Sequence, residues 1–239
     1  MSAEDVLRER YARVLERLDA ACAAAGRGRE DVALIAVSKL HPAADVAAVA
    51  RAGQVDFGEN YVQEALQKRE ELAGEPACRN VRWHMIGHVQ SRKAAQVAGA
   101  FALIHTLDSR KLADGLERRL AVLEARQPVL MEVNVAAEPQ KSGIMAEDLP
   151  VLADYIVENC PHLELRGLMC LPPVFDAGEA ARPHFARLRV LCEELRARLG
   201  LPLPELSMGM SGDFEAAVAE GATLVRIGTD IFGPRPPRT

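Results

Sequence analysis

Residues 33–60 read ALIAVSKLHPAADVAAVARAGQVDFGEN, and this stretch decides the fold. Ala33–Val37 is a short apolar run, Ala43–Arg51 places apolar residues at helical spacing, and Gln54–Phe57 is a second short run that closes on a glycine. A strand, a helix and a strand joined by a few residues each make a crossover unit, in which the two strands lie parallel. The rest of the chain repeats the unit. Further strands are expected at Arg82–Ile86, Leu103–Thr106, Val129–Asn134, Leu163–Met169, Glu205–Met208 and Leu224–Ile227. Helical patterns stand between or after them at Val62–Leu72, Lys111–Leu123, Leu149–Asn159, Arg182–Leu199 and Phe214–Glu220.

Eight strand-helix units predict an α/β protein, a (β/α)8 TIM barrel that leaves no sheet edge; an open doubly wound sheet is the alternative. An extra N-terminal helix precedes the barrel. Ser2 with Asp5 forms a capping pair, Leu7, Tyr11, Val14, Leu15 and Leu18 follow at helical spacing, and the helix ends near Gly26. Pro and Gly fall at unit boundaries rather than in one biased segment, so residues 1–239 are expected to be a single domain.

The composition narrows the function classes. A chain of 239 residues with 49% hydrophobic and 26% charged residues is ordinary for a globular protein with a sizeable core. The net charge is -5 and no basic run is long enough to follow a phosphate backbone, which argues against nucleic acid as a partner. Cys22, Cys78, Cys160, Cys170 and Cys192 are odd in number and lack metal-type spacing, so they are expected as reduced, mostly buried thiols with no metal. MSAEDVLRER has no signal-peptide core and no apolar run approaches a membrane span, predicting a cytoplasmic protein without membrane contact.

A barrel of this type works at the C-terminal ends of its strands. Lys39 follows the first strand in a chain where only five of 29 basic side chains are lysines. Partial desolvation there would expose an amine lone pair for Schiff-base formation, against the plainer reading of a solvated or paired strand-end cation. Arg226 sits inside the last strand, where a guanidinium needs a specific partner, either a structural carboxylate or the ring nitrogen of a pyridine cofactor. Gly228-Thr229 and the run Ser207 to Gly212 follow the last two strands, a favoured phosphate site in barrels, although such residues also simply form turns. Asn60 closes the second strand as a polar contact for a ring hydroxyl. His84 is read as a packed, hydrogen-bonded interior histidine, with His88 nearby.

From Ala36 to Arg235 the chain resembles the pyridoxal phosphate homeostasis proteins, the YggS/PROSC family, whose barrel is similar to the N-terminal domain of alanine racemase. The likeness runs through Ala36-Val37-Ser38-Lys39, Phe57 to Glu64, Trp83 to Gly87, Lys141-Ser142-Gly143, Gly167-Leu168-Met169, Leu206 to Ser211, Val225 to Thr229 and Ile231-Phe232-Gly233. It implies pyridoxal 5′-phosphate (PLP) as cofactor, held as a Schiff base on Lys39. Arg226 would then face the pyridine nitrogen, Ser207, Gly228 and Thr229 would hold the phosphate, and Asn60 would adjoin the ring. The chain departs from the family pattern at His88, Val89, Arg92, Gly212 and Asp230. A carboxylate at 230 opposes a phosphate unless its side chain turns away.

The resemblance implies a PLP carrier in cofactor homeostasis, not an enzyme and with no catalytic residues. It would act as a monomer, with PLP-dependent apo-enzymes as recipients of its cofactor. The competing readings are a PLP-dependent amino-acid racemase and an imine-forming aldolase acting on a sugar phosphate. Racemisation needs a base on each face of the substrate, and no second domain is expected after Thr239 to supply one.

Overall fold

The computed structural model describes residues 2–173 and 175–234, so Arg235, where the family likeness ends, lies outside the described residues. The chain runs α1 (Ala3–Ala24), β1 (Ala33–Val37), α2 (Ala43–Arg51), β2 (Asp56–Glu59), α3 (Val62–Glu71), β3 (Arg82–Met85) and α4 (Ala94–Val97). It continues through β4 (Leu103–Leu107), α5 (Arg110–Leu123), β5 (Gln127–Asn134), β6 (Ile144–Met145), α6 (Leu149–Asn159) and β7 (Leu163–Cys170). The last elements are α7 (Arg182–Leu199), β8 (Glu205–Ser207), α8 (Phe214–Ala219), β9 (Leu224–Ile227) and α9 (Thr229–Phe232).

Strands β4, β3, β2, β1, β9, β8, β7 and β5 are hydrogen-bonded in that order, every pairing is parallel, and β4 with β5 closes the ring. This is the expected (β/α)8 barrel. The two-residue β6 pairs with β5 outside the ring, with Val133 opposite Ile144. Between β5 and β7 the register shifts by one residue, and Gly167 at φ +151° makes the shift possible. A Cβ there would lie 1.9 Å from the Glu205 carbonyl oxygen on the neighbouring strand.

Two cores result. Inside the ring, Ile35, Leu103, Leu130, Met169 and Leu224 form an apolar cluster. The larger core lies between the strands and the surrounding helices, around fully buried side chains such as Phe57, Phe185 and Phe214.

The expected strands are present, with differences at the short elements. β2 starts at Asp56 rather than Gln54 because the Gln54 side chain is committed to bridging. Its amide donates to the carbonyl oxygens of Leu34 (2.7 Å) and Asp56 (2.6 Å) and accepts the Tyr11 hydroxyl (3.1 Å). After β3 there is a 3-10 turn (Ser91–Lys93) and the single turn α4, and after β9 the single turn α9, all too short to carry a periodic signal. Because α9 is so short, the barrel flank beside it is covered by α1, which packs on α2, α8 and α9 through Leu7, Tyr11, Val14 and Leu18. The Ser2–Asp5 capping pair is present as read, Asp5 N–H donating to Ser2 Oγ at 3.1 Å. All five cysteines are free thiols, Cys78 half-buried and the others buried.

Candidate functional site

A cavity of about 460 Å3 opens at the C-terminal ends of the strands. Lys39, Asn60, Arg226, Gly228 and Thr229 all line it, so five of the six residues read from the sequence meet in one place.

Lys39 stands two residues past β1, on a turn held from below. Leu40 adopts φ +65°, and its N–H donates to Glu64 Oε1 at 2.5 Å. The buried Lys68 ammonium donates to the Ser38 carbonyl, Glu59 Oε1 and Glu64 Oε1, each at 2.7 Å, and the Ser38 hydroxyl donates to Glu59 Oε1 at 2.6 Å. Glu59 is fully buried and its Oε2 has no hydrogen-bond partner among the described residues. Burial pushes the Glu59 carboxyl above the usual range, and Lys68 opposes that shift. The frame under Lys39 is therefore a buried ion pair that the sequence reading passed over. The available signal was Lys68 itself, another of the five lysines, four residues after Glu64 on one helix face.

Arg226 forms the cavity floor on β9, 4% exposed. Its Nη1 donates to Ser207 Oγ at 2.6 Å and its Nη2 to the Cys170 carbonyl at 2.9 Å; among the described residues no carboxylate pairs with it. Burial lowers its pKa from the ordinary arginine value, with Cys170, Asp213 and Glu132 opposing. A buried guanidinium facing a cavity without a counter-charge is a group placed to meet a ligand acceptor. Asn60 Oδ1, at the same cavity, is likewise buried and has no hydrogen-bond partner among the described residues.

Ser207 is placed differently from its reading. Fully buried at the end of β8, it spends its hydroxyl on Arg226 and on His105 Nδ1 (2.8 Å), beneath the cavity rather than on its wall. The wall serine is Ser211, in the loop Met210 to Asp213 that lines the cavity together with Gly228 and Thr229. Gly209 begins that loop at φ +93°, where a Cβ would lie 2.6 Å from Ala217 Cβ. Among the described residues the N–H groups of Ser211, Gly212 and Thr229 have no intramolecular acceptor, so this corner is a cup of donors.

Asp230 turns away from the cup. Its Oδ2 accepts Arg17 Nη1 of α1 at 2.5 Å, while Arg17 also donates to Glu215 Oε1 (2.7 Å from Nη2) and to the Ser211 carbonyl (3.3 Å), its guanidinium 4.7 Å from the Phe214 ring centre. Arg17 is a second residue the sequence reading missed, because its partners lie some two hundred positions away. Of the other departures, Gly212 lines the cavity beside Ser211 and Val89 is buried. His88 Nδ1 lies 3.3 Å from Asp108 Oδ2, and these two and Glu132 bring ligand-type atoms within 4.8 Å of one another. Lys141 also lines the cavity but is committed to Glu138 (2.5 Å) and the Pro172 carbonyl (2.9 Å), and Lys93 donates to Gln63 Oε1 away from it.

An all-parallel eight-strand barrel whose mouth carries a lysine, a cup of donors and a buried guanidinium with no carboxylate partner among the described residues defines a class, and the comparisons agree. The family described as alanine racemase, N-terminal domain matches residues 12–236, and the chain belongs to it. More narrowly, it belongs among the pyridoxal phosphate homeostasis proteins. The Pseudomonas aeruginosa protein of that name is 48% identical over 95% of both chains, and the Aquifex aeolicus one is 43% identical over 95% of this chain and 97% of its own. The structure of PipY from Synechococcus elongatus with PLP bound is 35% identical at a TM-score of 0.81, covering 95% of this chain and all of that one. Alanine racemase from Corynebacterium glutamicum shares the fold at 18% identity and a TM-score of 0.67, over 98% of this chain and 62% of that one.

Proposed function

We propose that this chain is a PLP-binding protein of intracellular cofactor homeostasis that holds PLP covalently through Lys39 and has no robust catalytic activity. The observation that carries the reading is the single cavity in which an amine, a buried guanidinium without a counter-ion and a cup of donors converge. PLP brings an aldehyde that condenses with primary amines and a pyridine ring that draws electrons from what is attached to it. The residues fit those parts. Lys39 offers the amine, and Arg226 donates to the ring nitrogen. Asn60 Oδ1 accepts the ring hydroxyl, and Ser211, Gly228 and Thr229 take the phosphate in place of the Ser207 expected from the sequence. Residues 1–239 act as one binding unit, a cytoplasmic monomer whose recipients are PLP-dependent apo-enzymes. Among the described residues no helix is long and apolar enough to cross a membrane.

An arginine at the ring nitrogen leaves that nitrogen unprotonated, which weakens the ring as an electron sink and suits storage and release better than turnover. The test is an absorbance spectrum of the purified protein before and after borohydride reduction, followed by peptide mass mapping. We expect a visible band that reduction bleaches and a cofactor mass on the Lys39 peptide. A colourless protein that takes up no added PLP would refute the reading. PLP-loaded protein should leave L-alanine and L-serine unracemised by chiral chromatography; turnover near the enzymatic range of about 1–10³ per second would instead make it a racemase.

Arg17 contributes at a distance. Arg17→Ala removes the partner that turns Asp230 aside, so PLP retention should weaken by roughly three- to ten-fold, an effect that shrinks in high salt because the pair is partly exposed. Equal retention at low salt would show that Asp230 never faces the cup.

A further inference from the structure

A second polar feature crosses the barrel interior beside the apolar cluster. Arg226 Nη1 meets Ser207 Oγ (2.6 Å), Ser207 Oγ meets His105 Nδ1 (2.8 Å), His105 Nε2 meets His84 Nδ1 (3.0 Å), and His84 Nε2 meets Asp56 Oδ1 (2.9 Å). Arg82 fixes the far end, its Nε on Asp56 Oδ1 at 2.6 Å and its Nη2 on Asp56 Oδ2 at 2.5 Å. The five residues come from β9, β8, β4, β3 and β2, and all are at most 7% exposed. The chain runs from the cofactor cavity to a second cavity at the opposite barrel end, lined by Asp56, Arg82 and His84.

With both imidazoles neutral, the two ends dictate every proton between them. Arginine is only a donor, so Ser207 Oγ accepts from it and has one proton left to give, which goes to His105 Nδ1. His105 then carries its proton on Nε2 and donates to His84 Nδ1. His84 in turn carries its proton on Nε2 and donates to Asp56. Burial, with the nearby positive charge of Arg226 adding to it, holds the His105 pKa well below the ordinary value, in keeping with a neutral ring. Burial alone would raise the Asp56 carboxyl, but hydrogen bonds from His84 and Arg82 outweigh it and hold it below its usual range.

We propose that Asp56, His84, His105 and Ser207 are positioning residues, a one-directional hydrogen-bond relay that locks the Arg226 guanidinium in place as a donor toward the cofactor ring. The relay rests on the PLP reading for its role, since the ring nitrogen is what Arg226 is held to meet. A guanidinium anchored through two neutral imidazoles to a carboxylate cannot turn or shift without breaking a buried hydrogen bond. The relay therefore sets the position and electrostatics of the donor without touching the ligand.

The test has two arms on the full chain. In cofactor-free protein labelled with ¹⁵N-histidine, NMR at neutral pH should show His84 and His105 both protonated on Nε2; a proton on His105 Nδ1 overturns the relay. In the second arm, PLP is added to wild type, His105→Leu and His105→Gln, the glutamine amide spacing a donor and an acceptor much as the imidazole does. His105→Leu should retain PLP about ten-fold less well, with a displaced visible band, and His105→Gln should restore both. Identical retention and band in wild type and His105→Leu overturns the proposal. Should the leucine variant fail to fold by circular dichroism, Ser207→Ala cuts the chain one bond closer to Arg226 and carries the same comparison. If wild type takes up no PLP, the cofactor reading fails and with it the role at the ring, whereas PLP uptake alongside an Nδ1-protonated His105 fails the relay alone.

Discussion

Replacing Lys39 with alanine is expected to abolish the visible band and all borohydride-stable attachment of PLP while leaving the barrel folded. The turn that presents Lys39 is held by groups other than its side chain: the Leu40 N–H on Glu64, the Ser38 carbonyl on Lys68 and the Ser38 hydroxyl on Glu59. Removing the amine takes away the only covalent partner the proposed geometry provides, so the loss should be complete rather than graded. Thermal melting of the cofactor-free variant should match cofactor-free wild type to within about 1 kcal/mol, the usual scale for a substitution outside the core. Mass mapping supplies the discriminating result, because Lys141 lines the same cavity. Cofactor trapped on Lys141 in wild type, or an unchanged band in Lys39→Ala, would move the attachment site.

The largest expected effect on stability comes from Lys68→Met. Glu59 is fully buried, and Lys68 is its only cationic partner among the described residues. Breaking a buried ion pair from one side strands the other charge, which typically destabilises by about 3–5 kcal/mol, a large share of a domain stability of about 5–15 kcal/mol. The pH dependence has a definite sign. Burial already raises the Glu59 pKa, and removing the opposing Lys68 raises it further, so the folded variant binds a proton that the unfolded chain releases. Lowering the pH toward the raised pKa should therefore restore part of the lost stability, and raising it should not. Urea melts of the variant at about pH 5.5 and pH 7.5, each against wild type, check this. A deficit that is the same at both pH values would mean that Glu59 is not the group left stranded.

The barrel was legible because its elements carry their own periodicity. Ala33–Val37, Ala43–Arg51, Leu149–Asn159, Arg182–Leu199 and Leu224–Ile227 are observed with the bounds that the pattern gives. What was not legible is either shorter than a period, as with α4, β6 and α9, or decided by tertiary partners, as with Gln54 at the start of β2. The same division holds at the site. Lys39, Asn60, Gly228 and Thr229 follow strand ends and Arg226 is the last but one residue of β9, so barrel geometry alone predicts that they converge. Ser207 and Ser211 are four residues apart in one glycine-rich run, and only the contact of Ser207 with His105, 102 positions away, shows which hydroxyl is already committed. Arg17 was invisible for the same reason, its partners lying at Ser211, Glu215 and Asp230.

The helix α1 leaves the ribosome before any strand of the barrel, yet it docks on α8 and α9, about two hundred residues further along the chain. Its apolar stripe, Leu7, Tyr11, Val14 and Leu18, finds α2 early but stays incompletely covered until α8 and α9 have been made. Joining α1 to α8 and α9 is a contact of long sequence separation, which places it among the late and slow events of folding. Since Arg17 on that helix holds both the Ser211 carbonyl and Asp230, a nascent chain completes this corner of the cavity only once α1 has met the turn after β9.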